Sequence, residues 1–331
     1  MEIKTYSYAR AGLLGNPSDG YYGKTISVIV KNFSANVVLC ESRNLEIIQN
    51  ESDLCKYSNI DELIKNITIT GYYGGTRLIK ATIKTFYNYC TVNNIHIGDK
   101  NFTIQYNTSI PRQVGLGGSS AIVTAVLRAL MKFYKVNIPL EVQPNIVLSA
   151  EKDELSINAG LQDRVIQVFE GCVYMDFNKN TMDEKKHGIY EKINPELLSN
   201  LYIAYKTDLG KVSGSALNEI QTRFEMKDPI VLKTLEQIAN LAVLGKQAIL
   251  NHNMKELSQL MKENFYHRKK IMQINESNME LIRTAEKCGT TAKFAGSGGS
   301  IIGIYDNNKI FNNLVSEMNK INAEVIKPVI L

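Results

Sequence analysis

Hydrophobic positions change period several times along the first half of the chain. At 101–110, Phe102, Ile104 and Tyr106 alternate with polar neighbours, the two-residue period of a half-buried strand. Residues 2–8 and 26–40, dominated by β-branched and aromatic side chains, predict two further strands. Over 74–90, Ile79, Ile83, Phe86 and Cys90 fall on one face of a helix. A second helix is predicted directly after the glycine run at 115–118, and a third after Pro144, a residue suited to an early helical position. Residues 171–177, GCVYMDF, read as a buried strand. The second half is richer in helix. Leu235, Ile238, Ala239 and Ala242 recur at helical spacing, as do Leu257, Leu260, Met261 and Phe265, and strands are predicted at 201–207, 300–305 and 324–331. The polar tract HGIYEKINPELLSN at 187–200 contains Pro195 and separates the two patterns, so domains of 1–195 and 196–331 are expected.

With 331 residues, 44% of them hydrophobic, the chain has enough apolar material for two ordinary domains. The net charge of +5 is dispersed, with no run of like charges, no Trp and no basic block interleaved with aromatics. That is weak support for a nucleic-acid surface, and no nucleic-acid partner is expected; a mild basic excess also suits an enzyme whose ligands carry phosphate and carboxylate, so charge alone decides nothing. Cys40, Cys55, Cys90, Cys172 and Cys288 are scattered and odd in number, with no metal-ligand spacing, so a reducing compartment is expected. The opening MEIKTYSYAR lacks the apolar core of a signal peptide, and no apolar stretch reaches membrane-spanning length. A soluble, cytoplasmic protein with no membrane partner is the expectation, and the oligomeric state is left open. The many Asn, Lys and Ile residues read as nucleotide-composition bias.

The strongest local signal is PRQVGLGGSSA, Pro111 to Ala121, between an alternating strand and an apolar helix that begins near Ser119. Glycines let backbone approach a ligand closely, and a helix start presents unpaired N–H groups to an anion. Ser119 and Ser120 add hydroxyls for phosphate oxygens or Mg²⁺. An isolated glycine run could equally cap a helix; the placement between strand and helix favours phosphate. Two better-known loops fail. Gly23-Lys24-Thr25 lacks the glycine that a Walker A loop needs at 18, where Ser18 stands. A dinucleotide fingerprint from Gly115 or Gly296 would need glycine at 120 or 301, occupied by Ser120 and Ile301. A second run, FAGSGGS at 294–300, could form an anion-binding nest or a plain tight turn. ARAGLLGNPSDGYYG places Arg10 and Asp19 just after a strand.

Glu151, in AEKDEL, and Asp163, in AGLQDRV, are the candidate carboxylates: an oxygen ligand for Mg²⁺ and an acceptor for a substrate hydroxyl proton, or else solvated helix residues. His96, His187, His252 and His267 share no motif and read as surface residues.

ARAGLLGNPSD, PRQVGLGGSSA and FAGSGGS, in this order, resemble the signature of the GHMP kinase superfamily. GLLGNPSD, GLGGSSAIV, AEKDELSINAGLQDRV, GCVYMDF, NFYHRKK and KFAGSGG extend the likeness nearly end to end and make it strongest to the plant-type glucuronokinase branch. The resemblance implies an α+β, two-domain GHMP kinase fold, with an N-terminal domain like ribosomal protein S5 domain 2 and a ferredoxin-like C-terminal domain. It implies transfer of the γ-phosphate of ATP, or of UTP, to the anomeric hydroxyl of D-glucuronate. Another sugar 1-kinase of galactose, arabinose or heptose type, or a non-catalytic sugar or nucleotide sensor, are the alternatives. Ser120 and Glu151 match the superfamily's Mg²⁺ ligands, and Pro111, Gly115, Leu116, Gly117, Gly118, Ser119, Ser120 and Ala121 its phosphate loop. Asp163 matches the base, Arg10 the basic residue beside the substrate hydroxyl, and Asp19 the sugar-binding acid. Gly296, Ser297 and Gly298 fall in its third motif. The chain departs from the Gly-Glu-His of galactokinase-like members, having Gly15-Asn16-Pro17. A uronic acid needs a cationic partner, and Arg112, Arg164 and Arg77, in that order, are the candidates by adjacency to the motifs.

Overall fold

A computed structural model of the chain describes residues 2–48, 54–72, 75–206 and 214–330. Gly74, the expected start of a helix, and Leu331, the expected end of a strand, lie outside the described residues. The chain divides into two compact units, each assembled from separate stretches. The first contains Met1–Ala9, Phe33–Ile110 and Gly118–Val168; the second contains Arg10–Asn32, Pro111–Gly117 and Phe169–Leu331.

In the first unit, the later part of the long strand Lys24–Ser42 pairs antiparallel with Asn101–Thr108, so that Val37 faces Tyr106 and Leu39 faces Ile104. Leu45–Ile48 lies parallel to Asn101–Thr108 and antiparallel to Leu54–Tyr57. The alternation of Phe102 and Ile104 with polar neighbours is realised as expected, both side chains being fully buried. Three helices, Arg77–Val92, Gly118–Tyr134 and Gln143–Lys152, pack on one another. Gly118–Tyr134 buries Ala121, Val123, Ala125, Val126, Ala129 and Leu130, too wide a set for one stripe and the mark of a helix enclosed on several sides.

In the second unit, Lys24–Val28 pairs antiparallel with Cys172–Asp176, which pairs antiparallel with Ile189–Ile193. A separate four-stranded antiparallel sheet runs in the order Glu324–Ile326, Leu201–Tyr205, Ser300–Ile304, Lys293–Phe294. Tyr202, Ala204 and Ile301 from its strands meet Phe265, Leu281, Ile282, Leu314 and Met318 from helices in one apolar core. The helices Pro229–Leu250 and Met254–Ile271 pack along each other. Asp228 caps the first of these, accepting from the N–H groups of Ile230 and Val231, and Pro229 takes the first helical position, where no N–H is needed.

Several short elements depart from expectation. Ile189–Ile193 is a strand inside the tract read as a polar separator; mostly exposed, it carries almost no apolar alternation to reveal it. Leu45–Ile48, Leu54–Tyr57 and the helices Ile60–Thr70 and Lys179–Lys185 were likewise not anticipated. The terminal strand is only Glu324–Ile326, because Pro328 has no N–H to extend a ladder. Beyond it the chain is tied to residues 31 and 32, Lys31 N–H donating to Val329 O at 2.7 Å and Val329 N–H donating to Asn32 Oδ1 at 2.8 Å. Among the described residues no helix is long and apolar enough to cross a membrane.

Candidate active site

Three glycine-bearing stretches meet within the second unit. Arg10, near the end of strand Glu2–Leu14, donates from Nη1 to the carbonyls of Gly115 at 2.5 Å and Ala295 at 3.4 Å. Its own N–H donates to Leu116 O at 3.1 Å, and Gly12 N–H donates to Ala295 O at 2.7 Å. Ser300 Oγ donates to Val114 O at 2.6 Å, and Gly299 N–H to Asn278 Oδ1 at 2.8 Å. Close approach explains the glycines. A Cβ on Gly115, which has φ +69°, would lie 2.5 Å from Gly298 O. One on Gly296 would overlap Gly115 O and sit 2.8 Å from Arg10 Nη1. The two loops interlock only because neither position bears a side chain. The expected site residues Arg10, Gly115, Leu116, Gly296, Ser297 and Gly298 are therefore neighbours.

Three cations are buried around this junction: Arg10, Arg268 and Lys293 are 5%, 2% and 1% exposed. Lys293 Nζ donates to Gly12 O at 2.8 Å, Asn16 Oδ1 at 2.5 Å and Phe294 O at 2.9 Å, one acceptor for each of its protons. Burial, reinforced by the charges of Arg268 and Arg10, holds its pKa well below the ordinary lysine range. Arg268 donates from Nη1 to Gly296 O at 2.8 Å and lies over the Phe294 ring at 5.3 Å. Burial lowers its pKa to about 10; Asp19 acts in the opposite direction, and the charge of Arg10 adds to the lowering. Asp19 itself is half-buried at the start of the short helix Ser18–Tyr21. The departure at Gly15-Asn16-Pro17 has a local rationale: buried Asn16 receives Lys293, and its carbonyl accepts from Asn264 Nδ2 at 3.2 Å.

Asn264, Arg268 and Lys293 escaped the sequence reading. A signal existed for two of them. Leu257, Leu260, Met261, Asn264, Phe265, Arg268 and Ile271 recur every three or four residues and form the buried stripe of Met254–Ile271, which puts the two polar members on the inner face.

In the first unit, Ser119 stands half-buried, and Ser120 and Ala121 fully buried, in the opening turn of Gly118–Tyr134, directly after Gly117 in the chain. Glu151, in the last turn of Gln143–Lys152, is completely buried. Arg164 donates to Glu151 Oε2 from Nε at 2.8 Å and also from Nη2. Glu151 Oε1 is buried without a hydrogen-bond partner among the described residues. Arg164 Nη1 donates to Gly160 O at 2.9 Å and lies 3.4 Å from Asp163 Oδ2. One guanidinium thus ties both candidate carboxylates. Asp163 opens the helix Gln162–Phe169, where the helix dipole favours an anion, and its side chain keeps 20% exposure. Arg164 was expected on a substrate carboxylate, but its fork is turned to Glu151; Arg112 and Arg77 are exposed. Of the histidines, His96 and His252 are exposed and His187 and His267 half-buried.

No cluster of three or more His, Cys, Asp or Glu placed for a metal occurs among the described residues. A hydroxyl and one carboxylate oxygen do suit Mg²⁺, which takes few protein ligands and completes its shell with water and phosphate oxygens. Glu151 Oε1, an anionic oxygen out of water with no donor of its own, is the atom a cation would compensate.

Residues 77–171 match the family described as the GHMP kinases N terminal domain, and residues 246–323 match the GHMP kinases C terminal domain. The fold agrees: the chain superimposes on the Lactococcus lactis galactokinase crystallised with galactose at a TM-score of 0.82, with 16% identity over 99% of this chain and 93% of that one. This protein belongs to the GHMP kinase family and has its two-domain fold. Within the family it is 42% identical to Arabidopsis thaliana glucuronokinase 1 over 91% of this chain and 84% of that protein. It is 44% identical to the probable glucuronokinase 2 of the same plant, over 89% and 82%. ATP is the phosphate donor that the kinase family implies.

Proposed function

We propose that the protein is a sugar-acid kinase that phosphorylates the anomeric hydroxyl of D-glucuronate with ATP, using Asp163 as base and Ser120 and Glu151 as Mg²⁺ ligands. The observation that carries the chemistry is the pair of carboxylates joined by Arg164, one with a buried uncompensated oxygen and one partly open to solvent. The substrate class rests on the likeness to glucuronokinases over about nine-tenths of the chain.

Backbone N–H groups of Gly115 to Ser119 and the start of Gly118–Tyr134 would hold the phosphates. Bound Mg²⁺ would neutralise charge on the β- and γ-phosphate oxygens. Asp163 accepts the proton of the C1 hydroxyl as that oxygen bonds to the γ-phosphorus and the bond from phosphorus to the β,γ-bridging oxygen breaks, leaving ADP. Arg10, whose cation is buried and fixed by two carbonyls, favours the developing alkoxide. Asp19 is proposed to hold a sugar hydroxyl. With the Arg164 fork on Glu151, exposed Arg112 is the proposed partner of the sugar carboxylate. The division near residue 195 is kept as the proposed boundary of the two kinase domains.

A coupled assay over glucuronate, galacturonate, galactose, arabinose and a heptose, with ATP and with UTP, tests the assignment. Glucuronate with ATP should give the highest kcat/KM; preference for a neutral sugar would overturn the substrate. Asp163→Asn should bind ATP normally and lose roughly 100-fold or more in kcat; near-normal turnover would remove Asp163 as base. Arg112→Met should raise KM for glucuronate far more than for a neutral sugar, and an equal effect on both would exclude it.

A further inference from the structure

Arg164 spends two donors, Nε and Nη2, on the same oxygen of Glu151, Oε2. The other oxygen is left buried and unsatisfied among the described residues. A bidentate guanidinium normally spans both oxygens of a carboxylate; here the fork grips one edge. Nη1 is anchored separately, on Gly160 O at 2.9 Å, with Asp163 Oδ2 at 3.4 Å, so the guanidinium cannot swing away without losing partners on both sides. Arg164 and Glu151 side chains are 5% and 0% exposed, so the pair is shielded from bulk solvent.

We infer that Arg164 is a positioning residue that splits the Glu151 carboxylate, occupying Oε2 so that only Oε1 can reach a metal ion, and thereby selects a small octahedral cation over a larger one. The inference rests on the reading of Glu151 as a metal ligand. Ca²⁺ commonly takes carboxylates through both oxygens at a high coordination number, whereas Mg²⁺ takes one oxygen at shorter range in a strict octahedron. A carboxylate with one oxygen already held offers Ca²⁺ less than it needs and Mg²⁺ what it uses.

The test is calorimetric titration of ADP into the full-length protein with Mg²⁺, with Ca²⁺ and with chelator, for wild type, Arg164→Met, Arg164→Lys and Glu151→Gln. In wild type Mg²⁺ should strengthen ADP binding more than Ca²⁺ does. In Arg164→Met that Mg²⁺:Ca²⁺ preference should fall about tenfold, while ADP affinity in chelator stays within about threefold. Arg164→Lys, which keeps the charge but lacks the fork, should lose most of the preference too, and it decides the matter if Arg164→Met does not fold. A preference unchanged in the folded variants overturns the inference. Glu151→Gln separates the two levels: metal dependence surviving in Glu151→Gln overturns the metal-ligand reading itself. Metal dependence lost there but selectivity intact in Arg164→Lys overturns only the role of Arg164.

Discussion

Gly296 shows what a single hydrogen in place of a side chain permits. Two loops distant in sequence interlock there, with the Gly115 carbonyl occupying the space where a Cβ would stand. Gly296→Ala should therefore lower unfolding free energy by roughly 2 kcal/mol or more and cut kcat/KM for ATP at least tenfold. Gly20→Ala, in open space with nothing within 4 Å of its Cβ, should stay within ~0.5 kcal/mol of wild type. Denaturant titration of both proteins decides the comparison; equal stability would mean that the interlocked loops yield freely. The glycine motifs were legible in the sequence through their placement between strand and helix and their order along the chain, since each run alone could be a turn or a cap. Lys293 and Arg268 announce nothing of the kind. A lysine beside a glycine motif reads as solvated until tertiary structure closes three carbonyl and amide oxygens around it.

Elements with long, periodic apolar faces were readable, and short ones were not. Arg77–Val92 and Met254–Ile271 follow their hydrophobic spacing, whereas Leu45–Ile48 and Ile189–Ile193 have too few residues for a period to emerge. The abundance of asparagine, read as compositional bias, also has structural use. Asn59, Asn178, Asn253, Asn275 and Asn307 each cap a helix, accepting from an N–H in its first turn. Asn275 matters beyond its own helix: its Oδ1 takes Asn278 N–H at 2.9 Å, and the Asn278 side chain in turn holds Gly299 N–H at 2.8 Å. Asn275→Ala should cost about 1 kcal/mol in thermal or urea unfolding and weaken the glycine loop with it. A fully stable variant would show that water replaces the cap.

Across the molecule, buried acids are expected to weaken the fold at alkaline pH. Burial pushes the Cys172 thiol from its ordinary 9.0 up to about 12. Above pH 9 the unfolded thiol loses its proton while the folded one keeps it. The contribution of Cys172 is thus complete below pH 9 and is lost as pH climbs from 9 toward 12, at ~1.4 kcal/mol per pH unit. Tyr174, also raised to about 12 by burial first and Asp176 second, adds loss above pH 10. Cys172→Ala should lower stability at pH 8 yet flatten the decline between pH 9 and 11; an unchanged slope would place the alkaline sensitivity elsewhere.

The strand Lys24–Ser42 finds its partners at very different chain distances, and synthesis on the ribosome inherits that order. Lys24–Val28 must wait for Cys172–Asp176, roughly 150 residues later, which at ~5–20 residues per second is on the order of ten seconds. Gly12 waits longer still, until Ala295 has left the exit tunnel. Its earlier neighbour Glu2–Leu14 is already made, so a nascent chain carries the apolar Ile26, Val28 and Ile29 with one edge of their strand still open for much of its translation. Chaperone capture of this N-terminal stretch should be strongest before residue 172 emerges, and fade once its antiparallel neighbour arrives.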